Sequence, residues 1–332
     1  MKILVLGGTR FFGMEFARQR AAGGDRVTVF SRRAPVEDLP PSITQLCGER
    51  RNAGELRELA LTRWDAVVDN LCFTGQDASA ALEAFAGRTG IYVMVSSGDV
   101  HLALKNAQSP FDEDMAGRLP ENPAARETQP YGWGKREAEK IFRQAAIAAD
   151  FPACAVRFPI VIGPGEPKLR AYSYWLRLAD GGPVVAPDGG LNYRRYIYSG
   201  DAARALSLLV DHPGKSAGET FHFGDTVPVT LREWLEMSAD ILETRADIAA
   251  VPAGWLERNG FDIAAASPFS HPENYVLGIS KAEDLFGWQS TPRRKWLEQT
   301  IHWYFHDYHG PRPENYAARA AETALVKKFN GE

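Results

Sequence analysis

Tyr131 and Lys135 stand four residues apart in YGWGKREAEKIFRQAAIAA, a spacing that sets both side chains on one face of a helix. A phenol with an ordinary pKa near 10 is a poor base at neutral pH, and an adjacent ammonium favours its phenolate. Such a pair can exchange a proton with a substrate oxygen, although taken alone it also fits an ordinary exposed helical pair. Ser96 and Ser97 follow the apolar run 91–95, and a hydroxyl there could hold that oxygen. Adjacent residues at a strand end point to opposite sides, so only one of the two can face the reacting atoms. The third chemical stretch is MKILVLGGTRFFG. Its apolar run 3–6 breaks at Gly7 and Gly8, and Phe11, Phe12, Met14, Phe16 and Ala17 then open an apolar helical face. This reads as a strand, a phosphate-cradling turn including Thr9, and a helix N-terminus whose free amides and dipole stabilise a pyrophosphate. A GxxGxxG spacing running from Gly7 to Gly13 would carry its middle glycine at position 10, where this chain has Arg10.

These residues need elements to position them. A second strand over 26–30, after the turn residues Ala22, Gly23, Gly24 and Asp25, completes a βαβ unit. Ser31, Arg32 and Arg33 follow, where an NAD-binding unit usually places an acid for the ribose 2′-hydroxyl. Guanidinium groups pair with a 2′-phosphate that a carboxylate would repel, so Ser31, Arg32, Arg33 and Arg10 point to NADP in preference to NAD. The plainer alternative is a solvated basic loop. Further strands at 43–47, 65–69, 91–95 and 153–157 alternate with helices at 54–62 and 77–86. The pattern is that of an α/β fold with a doubly wound, Rossmann-type parallel sheet, whose ligands sit at the carboxyl ends of the strands. Residues 109–130, rich in Pro, Asp and Glu, read as a long loop delivering Tyr131 to its helix. Beyond Gly165 come a helix at 169–178, a strand at 194–198, a helix at 201–209, and a capping box from Thr230 to Glu233 opening a helix through 241. The expected division is a dinucleotide-binding domain over 1–165 with 192–225 returning to it. A smaller C-terminal substrate-binding lobe takes 166–191 and 226–290, and helices over 291–332 lie at the periphery.

A chain of 332 residues with 45% hydrophobic content can bury a large core. Its net charge of −4 gives no global basic excess, which weighs against a nucleic acid partner and leaves a small anionic molecule compatible. Cys47, Cys72 and Cys154 have no CxxC spacing, so a reducing compartment is the simpler reading. No window approaches 18 apolar residues, and the N-terminal run is too short for a signal-peptide core; a soluble cytoplasmic protein without a membrane partner is expected. His302, His306 and His309 lack an HExxH pattern and sit among aromatic residues, which favours a packed helix over a metal site.

The segments GGTRFFG, VSSGDVH, FDEDM, YGWGK, VRFPIVIGPGEP, RRYIYSGDAARAL and GISKAEDLFGWQ occur in the order and spacing of the extended short-chain dehydrogenases/reductases. The chain resembles that family over nearly its whole length. Within it, the GGTRFFG form resembles the branch holding bacterial sugar-nucleotide epimerase/dehydratase-like proteins and the chloroplast stem-loop RNA-binding proteins. The resemblance implies Ser97, Tyr131 and Lys135 as catalytic residues, the spacing before Val100 selecting Ser97 over Ser96. It further implies cofactor contacts from Glu49, Arg50, Asn70, Ser96, Phe158 and Ile160, and substrate contacts from Ser97, Asp99 and Arg194. It implies a homodimer built through the YGWGK helix. Three positions depart from the family pattern. Gly98 replaces the Asp that precedes the dehydratase Glu, whose place Asp99 takes. Ile160 stands where an Asn meets a substrate diphosphate, and Arg195 where an Asp is common. The implied function is hydride transfer at a carbinol or ketone carbon of a sugar-nucleotide-like or related polyhydroxylated small molecule, with epimerisation or reduction favoured over dehydration. The rival readings are an RNA-binding protein on the same scaffold and a cofactor-binding regulator without turnover.

Overall fold

Ile3 and Val5 turn to one face of strand β1 (Lys2–Leu6), Leu4 and Leu6 turn to the other, and all four are fully buried. A strand apolar on both faces must be covered on both, and this is the rule for a parallel sheet flanked by helices. The computed structural model describes residues 1–32, 36, 38–148 and 151–331. β1 pairs in parallel with β2 (Arg26–Ser31) and β4 (Trp64–Asp69), and the sheet extends to β3 (Thr44–Cys47) on one side. On the other side it continues through β5 (Thr89–Ser97) and β6 (Ala153–Phe158) to the edge strand Thr220–His222. All seven strands run parallel, in the order 3-2-1-4-5-6 followed by that edge strand, which is the doubly wound arrangement. One face carries α1 (Phe11–Ala22) and the helix Ser199–Asp211 through Phe16, Ala17, Ala202 and Leu206. The other carries α2 (Ala53–Leu59), α3 (Gly75–Phe85) and the Tyr131 helix (Pro130–Ala148) through Leu56, Ala78, Ala81, Phe85, Ala138 and Phe142.

The chain divides into two compact units. The first comprises Met1–Val161, Ile197–Gly224 and Leu277–Ser290, so residues 277–290, expected with the smaller lobe, belong to the sheet-bearing unit. Residues 109–130 are not one loop. They form two single-turn helices, Met115–Arg118 and Ala125–Thr128.

The second unit comprises Ile162–Tyr196, Asp225–Val276 and Thr291–Glu332. The expected capping box is present: the Thr230 hydroxyl accepts from Glu233 N at 3.1 Å, and Glu233 Oε2 accepts from Thr230 N at 2.9 Å, opening the helix Leu231–Ile241. Trp234 of that helix stacks on Trp175 with ring centroids 5.8 Å apart. The helix Arg293–His306, expected at the periphery, instead buries Trp296, Leu297, Ile301 and Tyr304. The expected strand over 194–198 is two short strands, Tyr193–Arg194 and Tyr196–Tyr198.

The edge strand brings a buried imidazole pair into the first unit. His222 Nδ1 donates to the Gly278 carbonyl at 3.0 Å, the tautomer that this acceptor requires, and His222 Nε2 lies 3.3 Å from both His101 Nε2 and Arg157 Nη1. Burial, reinforced by the Arg157 charge, holds both histidines well below the ordinary imidazole pKa. The unfolded chain therefore takes up protons near pH 6.5 that the native state refuses, and stability falls as pH drops through that value. Two such groups give a slope approaching about 2.7 kcal/mol per pH unit below pH 6.5. Glu113, whose carboxyl burial pushes up, contributes the opposite sign, in the carboxylate range. Urea unfolding at pH 7.5 and 5.5 should show the loss, and His222→Asn should flatten it; equal unfolding free energies in the wild-type protein would refute this account.

Candidate active site

The carboxyl ends of β1, β2 and β4 are tied together by backbone bonds at their last turns: Gly7 N donates to Phe30 O at 2.9 Å and Asn70 N to Leu6 O at 3.0 Å. Between them the chain turns through Gly7 at φ +81°, a left-handed conformation that costs a glycine little. A Cβ on Gly8 would meet Val5 and Val29 at 2.7 and 2.9 Å, and one on Gly13 would meet the Gly7 carbonyl oxygen at 2.9 Å. The glycines at 8 and 13 therefore let α1 close down on the sheet, while position 10 needs no glycine and Arg10 stands exposed there, its side chain making no capping bond. Phe11 holds φ +52°, a strained value for a bulky residue. With no side-chain cap and no acid in its first turn, α1 presents free amides, the donor set that an anion requires. Beside it Asn70 donates to Leu6 O at 3.2 Å while its buried Oδ1 finds no partner among the described residues, and neither does Ser96 Oγ. Open amides, a glycine cradle and an orphaned polar atom fit a dinucleotide.

β5 delivers Ser96 and Ser97 beside β6, with Ser97 opposite Phe158. Ser97 is partly exposed and its hydroxyl accepts from Asp99 N at 3.2 Å, capping the turn Gly98–Ala103. That leaves its O–H free to donate elsewhere. The Tyr131 helix is brought to this point by two glycines: a Cβ on Gly132 would run into the Asp99 carbonyl, and one on Gly134 would meet the Phe73 carbonyl oxygen at 2.5 Å. Tyr131 is 46% exposed, whereas Lys135, one helical turn on, is only 1% exposed. Lys135 Nζ donates to the Cys72 and Val95 carbonyls, both at 2.7 Å, and so spans the ends of β4 and β5. The ammonium lies 5.8 Å from the Tyr131 ring centroid. Burial pulls its pKa down to about 8.

The remaining candidates separate. Arg50, expected at the cofactor, is withdrawn: it is 2% exposed and donates through Nε and Nη2 to Asp69 Oδ2 at 3.1 and 2.7 Å, and through Nη2 to the Asp77 carbonyl at 2.9 Å. Tyr92 donates to the same carboxylate oxygen at 2.6 Å, so Arg50 belongs to a buried network beneath the β4 turn. Arg32 is exposed and lies 3.7 Å from Glu49. Arg33 falls outside the described residues. Phe158 is buried and meets Phe12 edge-on with centroids 5.8 Å apart, while Ile160 is half-buried. Arg194 lies in the second unit, where it donates to the Ser270 carbonyl at 3.1 Å and covers the Tyr275 ring. Sequence reasoning passed over Gly132 and Gly134, whose spacing within YGWGK was the available signal, and over Phe73, for which there was none.

Among the described residues no group of three or more His, Cys, Asp or Glu side chains could hold a metal ion, and no helix is long and apolar enough to cross a membrane. The chain is 28% identical to the 2′-dehydrokanamycin reductase of Streptomyces kanamyceticus over 77% of its own length and 70% of that protein. It is 23% identical to the chloroplast stem-loop binding protein of 41 kDa b of Arabidopsis thaliana, over 87% of its length and 75% of the relative's. Its fold matches that of DesIV, a dTDP-glucose 4,6-dehydratase from Streptomyces venezuelae solved with NAD bound, at a TM-score of 0.72 and 23% identity, covering 92% of this chain and 98% of that one. The model of the NAD dependent epimerase/dehydratase family matches residues 3–224. A match over more than half the chain, on a sheet with this strand order and a glycine turn at its first switch, makes this protein a member of the NAD dependent epimerase/dehydratase family, one of the extended short-chain dehydrogenase/reductase enzymes.

Proposed function

We propose that this protein is an NADP-preferring oxidoreductase or epimerase acting at a carbinol or ketone carbon of a sugar-nucleotide-like or related polyhydroxylated substrate. The observation that carries the reading is the buried Lys135 ammonium, fixed by two carbonyls beside the exposed phenol of Tyr131 at the carboxyl end of the sheet. A cation so placed favours the Tyr131 phenolate, and the phenol can give its proton to a substrate oxygen or take one from it. Ser97, with a free O–H, holds that oxygen by donating to it. A bound nicotinamide supplies or accepts the hydride. Reduction of a ketone then consumes one hydride and the Tyr131 proton and yields the alcohol; oxidation runs the same bonds in reverse. Gly98 beside Asp99 leaves the dehydratase acid/base pair of the family incomplete, so dehydration is the less favoured reaction. The relation to a 2′-dehydrokanamycin reductase supports the reading of a reductase of a related small molecule.

NADP preference rests on the missing acid after β2 and on Arg32. Its ion pair with Glu49 is long and exposed, of a kind worth between about 0 and 1 kcal/mol, so the guanidinium is easily released to a 2′-phosphate. Separate titrations of NADPH and NADH by nucleotide fluorescence should show tighter NADPH. Arg32→Ala should weaken NADPH about 10-fold, the worth of one charge-assisted contact, and leave NADH within about twofold. Equal affinities in the wild-type protein would overturn the preference. A screen of sugar nucleotides and polyhydroxylated ketones with the tighter cofactor then identifies the substrate.

The relation to the stem-loop binding protein supports RNA binding as the second reading. A salt-dependent gel shift with structured RNA at micromolar protein would favour it over the enzyme.

A further inference from the structure

Lys135 has three N–H donors and gives two of them to the carbonyls of Cys72 and Val95. The ammonium also lies over the face of Phe73, whose ring centroid is 4.5 Å from Nζ. Phe73 is a large apolar side chain left 36% exposed, and its ring also contacts that of Tyr131 at 6.4 Å. Its backbone is held from the other side, where Phe73 N donates to Asp77 Oδ2 at 3.0 Å. The ring therefore presents its negative face to the charge while its own outer side stays partly exposed.

We propose that Phe73 is a positioning residue acting through Lys135, its ring covering the ammonium from solvent, stabilising its charge and keeping it beside Tyr131. The proposal rests on the reading that Lys135 serves the reaction. Other groups also act on this ammonium: Asp69 at the end of β4, itself paired with Arg50; Cys72 in the following turn; Asp77 on α3; Tyr131 and Glu139 on its own helix. Of these, only Tyr131 touches the Phe73 ring, and Phe73→Tyr keeps that ring contact. Burial and the ring face pull in opposite directions, so two substitutions separate them. Phe73→Leu keeps an apolar cover and removes the ring quadrupole, which lowers the Lys135 titration midpoint. Phe73→Ala admits water, which relieves burial and raises the midpoint above that of the Leu variant. Phe73→Tyr keeps the ring and restores the wild-type midpoint.

The test is an NMR titration of ε-13C-lysine-labelled protein without cofactor, the Lys135 signal being assigned by its disappearance in Lys135→Met. Phe73→Leu should move the midpoint down by between about 0.4 and 1.5 pH units, with the Ala variant above it and the Tyr variant at the wild-type value. An unchanged midpoint in a Leu variant with wild-type circular dichroism would overturn the proposal, as would a Tyr variant that titrates like Leu. With the substrate in hand, the alkaline limb of the turnover profile should move with the midpoint. A midpoint that moves while that limb stays put would leave Phe73 acting on Lys135 and refute the role of Lys135 in the reaction instead.

Discussion

Replacing Tyr131 with Phe should lower turnover by about 10²–10⁴-fold, the usual contribution of a positioned proton donor, and leave NADPH affinity within about twofold of wild type. The change removes one oxygen from a side chain that is 46% exposed and keeps the ring that meets Phe73, so neither a cavity nor a lost packing contact can account for the effect. Lys135→Met makes the contrast. It takes away the ammonium that bridges the Cys72 and Val95 carbonyls and leaves both acceptors buried, so it should weaken cofactor binding as well as turnover. The measurement is absorbance at 340 nm for hydride transfer, alongside a fluorescence titration of NADPH. Full turnover by Tyr131→Phe would sink the proposed mechanism, whatever Lys135→Met does.

The second large effect is structural. Arg50→Met should cost about 3–5 kcal/mol of unfolding free energy in urea, because it strips a buried carboxylate of its paired cation. Among the described residues Asp69 would keep the Tyr92 hydroxyl at 2.6 Å and the Leu71 amide at 2.8 Å as hydrogen-bond donors. The double variant Arg50→Met/Asp69→Asn should recover part of the loss, since the uncompensated charge then disappears. NADPH affinity of folded Arg50→Met should change by no more than a few fold. A variant that kept its stability but lost the cofactor would return Arg50 to the nucleotide site.

These cases show where sequence reasoning succeeds. The first βαβ unit was legible because its signals are local: an apolar run of strand length, glycines where the backbone must turn, and an apolar helical face directly after them. The Thr230–Glu233 box was legible for the same reason, both partners lying within one helical turn. The edge strand Thr220–His222 was missed because three residues are too few to show alternation. The segment 277–290 was misplaced because its start is attached to the first unit by remote partners, Phe111 at Leu277 and His222 at Gly278.

The site divides along the same line. The residue types and their order, with Ser97 at a strand end and Tyr131 and Lys135 one helical turn apart, are properties of the sequence, and so is the lack of an acid after β2. Arg50, placed at the cofactor by the resemblance, is instead buried in an ion pair whose carboxylate partner lies on β4, 19 residues away in the chain and invisible to any local pattern. Phe73 went unnoticed because nothing near it hints at a cation; Lys135 arrives from another element. Sequence alone determined the fold class, since period-2 and period-3.6 patterns and turn glycines act between neighbours, and the family, through the order and spacing of its motifs. Only the tertiary structure decided which charges are buried, which are paired and which remain available for chemistry, because desolvation and ion pairing depend on groups brought together from distant parts of the chain.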